Sequence, residues 1–287
     1  MYSIFNTLLC LGFVITLSLI PVLLIVGKRR KWRKPIYGSV VALLCVGVLV
    51  LLACLFGPLS NPANNKTIGT ISTPVGYQRI ECKKGSMGDY LRRLPLKRTG
   101  TLVHLYSGKL ARFQFLSYAV IDQNILSNGE QCADVCMRLR AEYLFEQGKY
   151  NSIVFTALNG TIMRYQGGNN RKAFERFMRD VYGVCNTTSL HSSLKSKPLS
   201  DVAPGDIFVY PHHGKHYGHA VMVADVAVNS KGQKAILLVE GNTPAREKHV
   251  LRNPFNPLAS PWMFLNEDAS RVQISVFSFT NQQLKKW

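Results

Sequence analysis

The chain has 287 residues and a mass of 32.1 kDa, enough for one fair-sized domain with accessories. Its formal charge of +19 favours anionic neighbours, but it contains no nucleic-acid recognition motif, so nucleic acid is not an expected partner. Seven cysteines are too few and too irregularly spaced for a disulfide-stapled scaffold.

The first segment differs in composition from the rest. Ile4 to Val26 and Ile36 to Phe56 are apolar runs, and no Asp or Glu precedes Glu81. Each run approaches the ~20 residues that cross a hydrocarbon core as a helix. Between them lie Lys28, Arg29, Arg30, Lys31, Arg33 and Lys34, a basic turn of the kind that stays cytoplasmic. Residues 1–57 therefore predict a transmembrane helical hairpin in a bacterial inner membrane, with the following domain outside the cytoplasm. A second possibility is a lipoprotein anchor at Cys54. Outside the tether, 29 basic residues face 16 acidic ones, so anionic lipid head groups or cell-envelope polymers such as peptidoglycan are the expected neighbours.

Residues 58–74, rich in Pro and Asn, read as a polar linker, and 75–287 as an exported domain. Ser86 to Leu94 predicts a short helix capped by Ser86, and Ala111 to Asp122 a strand. Gln131 to Gln147 predicts a long amphipathic helix, whose Arg138, Arg140 and Glu142 are expected on the solvated side. The Asn159-Gly160 turn joins a hairpin of Ser152–Leu158 and Thr161–Tyr165. Arg171 to Val184 is a second amphipathic helix, with Phe174, Phe177, Met178, Val181, Tyr182 and Cys185 on one stripe. After a Ser- and Lys-rich connector the chain turns to strands: Asp206–Tyr210, His219–Val228, Ala235–Glu240 and Arg271–Phe279. Helices followed by a largely antiparallel sheet indicate an α+β class.

Cys132 falls in the first turn of the long helix, where unpaired N–H groups and the helix dipole favour a thiolate. Cys136, one turn deeper, reads as packing. Among His212, His213, His216 and His219, the first three have loop surroundings and should line the rim of a cleft. His219 begins an apolar strand, the rigid placement a general base requires. Glu240 and Asn242 end the neighbouring strand, and either could orient the imidazole. Gln131 offers an amide donor for an oxyanion. A metal site built from the four histidines is a competing reading.

The order Cys132, Gly205-Asp206, Gly218-His219, Glu240/Asn242, carried by LSDVAPGDIFVY, GHAVMVADV and LLVEGN, resembles the papain-like NlpC-type and CHAP-type cell-wall hydrolases. With GYQRI, GDYLRRLPLK, VHLYSGKL and QCADVCMRLRAEYL, the region from Val75 to Trp287 also resembles an uncharacterised bacterial domain-of-unknown-function family. The first resemblance implies a papain-like helix plus antiparallel sheet. It also implies a membrane-tethered cysteine hydrolase of an amide or peptide bond of the cell wall, working without a cofactor or metal. The alternative is a non-catalytic domain of the same kind that binds wall fragments or a partner protein.

Overall fold

The computed structural model describes residues 25–26, 38–42, 44–45, 47, 60–214, 216–256 and 258–287. In chain order the elements are β1 (Tyr77–Arg79), α1 (Met87–Arg93), β2 (Ser117–Val120), α2 (Cys132–Glu146), β3 (Val154–Thr156) and β4 (Ile162–Arg164). Next come α3 (Arg171–Val184), α4 (Thr187–Ser193), β5 (Lys195–Ser196), β6 (Ile207–Tyr210), β7 (His219–Asn229), β8 (Lys234–Glu240) and β9 (His249–Leu251). The chain closes with β10 (Met263–Phe264), β11 (Arg271–Ile274), β12 (Phe277–Thr280) and β13 (Leu284–Lys286).

Among the described residues the main sheet has nine strands in the order β2-β9-β8-β7-β6-β13-β5, with β1 also on β7 and β10 also on β8. The sheet pairings are antiparallel. Its centre is the β7–β8 hairpin, whose apolar runs are buried along most of their length. One edge of β7 is shared: Tyr210 of β6 pairs with His219 at its start, and Tyr77 of β1 pairs with Asn229 at its end. Asp225, wholly buried at a bulge in β7, is tolerated because Arg79 Nε and Arg92 Nη2 reach it at 2.6 and 2.7 Å.

Local chemistry sets the helix starts. Ser86 Oγ accepts from Asp89 N at 3.3 Å to cap α1, and Asn170 Oδ1 accepts from Ala173 N at 3.1 Å to cap α3. The stripe of α3 is buried at Phe174, Met178, Val181 and Tyr182, and the Phe174 ring lies 4.7 Å from that of Phe145 on α2.

Several expectations are corrected. The described residues form largely an antiparallel sheet with few helices, and a papain-like architecture finds no support in them. Two strands that precede α2, β1 and β2, are woven into the same sheet as those that follow it. No helix among the described residues is long and apolar enough to cross a membrane. Most of both apolar runs, and Cys54, lie outside the described residues. Those described there (25–26, 38–42, 44–45 and 47) are helical but fall short of the ~20 a span needs. The transmembrane hairpin, and the inner-membrane location deduced from it, are therefore not retained.

Within the domain, the supposed linker carries buried Asn61, Ile68 and Ile71. Asn61 Nδ2 donates to Lys97 O at 2.9 Å, so the chain joins the fold from Ser60 onward. The expected strand 111–122 shortens to β2, behind a 3-10 turn at Gln114–Leu116. Arg271–Phe279 splits into the β11–β12 hairpin, turning at Ser275 with φ of 49°. Arg138 and Glu142 are buried rather than solvated, because other segments surround α2 on nearly every side.

Candidate active site

The start of α2 is fixed from behind. Glu130, wholly buried, accepts from Leu126 N at 2.7 Å through Oε2 and pairs through Oε1 with the buried ammonium of Lys248. Asp134 Oδ2 accepts from Gln131 N at 3.0 Å and closes the first turn. Cys132 is thus the first residue of a rigid helix, only 7% exposed.

The β8 end approaches this helix closely. A Cβ on Gly241 would sit 2.5 Å from Val135 Cγ2 and 3.3 Å from Gln131 O, so only glycine lets the residues after Glu240 lie against the first turn of α2. A similar constraint acts beside the histidine. A Cβ on Gly218 would lie 2.1 Å from Thr187 Oγ1 and 2.7 Å from Tyr210 O, so glycine admits α4 and β6 next to the start of β7.

His219 is 4% exposed, and its ring stacks on Phe277 with centroids 3.7 Å apart and planes 19° apart. Its Nε2 meets Glu240 Oε2 at 2.9 Å. The Cys132 side chain also acts on the ring and raises its proton affinity. Burial alone would lower the proton affinity of His219. The hydrogen bonds to Cys132 and Glu240 outweigh it, and the pKa is raised to about 9. Burial pushes Glu240 the other way from its partners. Hydrogen bonds from His219 and His249 prevail and hold it at about 2. At neutral pH the site therefore favours an imidazolium against a carboxylate, beside a sulfur at a helix start.

The other predicted residues sit around this row. Asn242 Oδ1 accepts from Thr243 N at 2.7 Å, and the carboxylate in contact with the imidazole is that of Glu240. Gln131 Oε1 accepts from Thr243 Oγ1 at 2.8 Å, which ties the residue before the thiol to the loop after β8. Cys136 is wholly buried, and desolvation pushes its thiol well above the ordinary range. That suits packing. His212, His213 and His216 are exposed while His219 is buried, and His213 and His216 pair across a tight turn. Among the described residues no cluster of three His, Cys, Asp or Glu side chains is arranged to hold a metal ion.

Sequence reasoning missed Phe277 under the imidazole and His249 beside Glu240. His249 Nε2 lies 3.4 Å from Glu240 Oε1, and the two residues are cross-strand partners in β9 and β8. The signal was faint, since three residues, HVL, hardly announce a strand.

A protein family described as "Domain of unknown function (4846)" matches residues 68–168 and 166–286. No curated protein and no solved structure matches the chain.

Proposed function

For this chain, which belongs to the family described as domain of unknown function (4846), we propose a cysteine-dependent hydrolase of amide or peptide bonds. The observation that carries the reading is the row Cys132, His219, Glu240: a sulfur at a helix start, a buried imidazole whose proton affinity that side chain raises, and a carboxylate 2.9 Å behind the ring.

With its proton already on His219, Cys132 Sγ bonds to the substrate carbonyl carbon, and the carbonyl π pair moves onto oxygen. The backbone N–H of Cys132 and the Gln131 amide are the donors assigned to that oxyanion in this reading. As the tetrahedral species collapses, the C–N bond breaks and His219 gives its proton to the leaving amine. Water then attacks the thioester, His219 receives one water proton, and departure of the sulfur from carbon releases the acid and restores the starting Cys132–His219 pair. Glu240 keeps the imidazole aligned and compensates its charge at each stage. These steps draw on no cofactor.

Peptide amides, including peptidoglycan stem peptides, are the first substrates to assay. Cys132→Ser and His219→Ala should each abolish turnover and labelling by a thiol-directed probe. Full turnover in Cys132→Ser rejects the reading.

One observation favours a second reading. With Cys132 only 7% exposed, the domain would be a non-catalytic module that binds an anionic partner through its basic surface. A native Cys132 that resists iodoacetamide until the protein is unfolded supports that reading against hydrolysis.

A further inference from the structure

We propose that His249 is a positioning residue of this site, holding the Glu240 carboxylate in the orientation that aims it at His219. The inference rests on the hydrolase reading for its purpose, but the geometry behind it is separate. The two oxygens of Glu240 are divided between two imidazoles: Oε2 contacts His219 Nε2 at 2.9 Å and Oε1 contacts His249 Nε2 at 3.4 Å. All three side chains are buried: Glu240 is 1% exposed, His249 3% and His219 4%.

His249 is itself held. Its Nδ1 donates to Glu247 O at 2.9 Å. A carbonyl only accepts, so this bond fixes the ring plane with a proton on Nδ1 and points Nε2 at Glu240, where a ring that carries a proton on both nitrogens donates. The backbone around it is braced on both sides, as His249 pairs with Glu240 of β8 and with Val120 of β2. A carboxylate held at one oxygen can swing about its side-chain torsions. Held at both, it cannot rotate without breaking a buried contact. The β9 strand thus acts on the reacting sulfur through two intermediaries, Glu240 and His219.

The titratable groups around Glu240 come from four elements: His219 on β7, His249 on β9, Cys136 on α2 and Tyr210 on β6, with Cys132 beyond His219. Of these, His219 and His249 hydrogen-bond the carboxylate and favour its charge.

The test compares His249→Phe, which keeps ring volume without a donor, with His249→Gln, which keeps a donor toward Glu240. Thermal melts establish that each is folded. The carboxyl ¹³C resonance of Glu240 is titrated, and the rate of Cys132 alkylation by iodoacetamide is measured at pH 7. His249→Phe should raise the Glu240 midpoint by about one unit or more and slow alkylation at least about threefold. His249→Gln should recover more than half of both effects. A Phe variant with native midpoint and rate overturns the proposal, as does a Gln variant that behaves like Phe. Wild-type alkylation that is unaffected by His219→Ala would instead sink the hydrolase reading, while the Glu240 midpoint still scores His249.

Discussion

Two side chains, Cys132 and Glu240, favour the protonated form of His219. Removing either partner leaves burial to act with less opposition, so the imidazole should lose proton affinity. In Cys132→Ala the His219 midpoint, followed by ring-carbon NMR, is expected to fall clearly below about 9. An unchanged midpoint would show that the sulfur does not act on the ring. Glu240→Gln keeps the shape and removes the compensating charge. If the protein is a hydrolase, kcat/KM should drop by about 10²–10⁴-fold, as for other imidazoles that lose their orienting carboxylate. Asn242→Ala should fall far short of that, because its Oδ1 is engaged with Thr243 N and the carboxylate in contact with His219 is that of Glu240.

At the scale of elements, the site is a junction of the start of α2 with the adjoining ends of β7 and β8, and two glycines permit the approach. Gly218→Ala would drive a methyl group into Thr187 Oγ1 and the Tyr210 carbonyl. Backbone atoms give way poorly, so a loss of about 1–3 kcal/mol is expected, measured as a lower urea midpoint with unchanged slope. Behind α2 lies an ionic chain, buried except at its outer end: Lys248 with Glu130, then Arg138 with Glu130 at 3.5 Å and Glu142 at 2.6 Å, then the exposed Arg171 with Glu142 at 2.6 Å. Removing one member strands a charge in the interior. Lys248→Met should therefore cost about 3–5 kcal/mol, and pairing it with Glu130→Gln should recover part of that loss. A double-variant cost equal to the sum of the two single costs would mean that the two groups do not interact.

For the molecule as a whole, the buried imidazole links stability to pH. The folded pKa of His219, about 9, lies above its ordinary value of 6.5. Its contribution is fully present below pH 6.5 and is lost as pH rises through about 9. Glu240 has the opposite sign. Held at about 2 against an ordinary 4.5, it stabilises above pH 4.5 and its contribution disappears as pH falls toward 2. Denaturation midpoints across pH 6–10 should decline on the alkaline side, and the decline should flatten in His219→Phe. Retention of the full slope in that variant would assign it to other groups.

Much of the local structure was legible in the chain. Ser86, the Asn-Gly turn at 159–160 and the apolar stripe of Arg171–Val184 mark their elements because capping, turn geometry and helical period act over a few residues. Cys132 at a helix start, and His219 at the head of an apolar strand, were readable for the same reason. What the sequence by itself determined is this alphabet of short-range elements and the residues able to carry chemistry. Hydropathy also suggested a membrane hairpin, yet an apolar run states only how greasy a segment is. The choice of Glu240 over Asn242, the recruitment of His249 and Phe277, and the burial of Arg138 were decided by the tertiary structure. They depend on which strand ends meet which helix turn, and such contacts join residues dozens to more than a hundred positions apart through packing that no local pattern encodes.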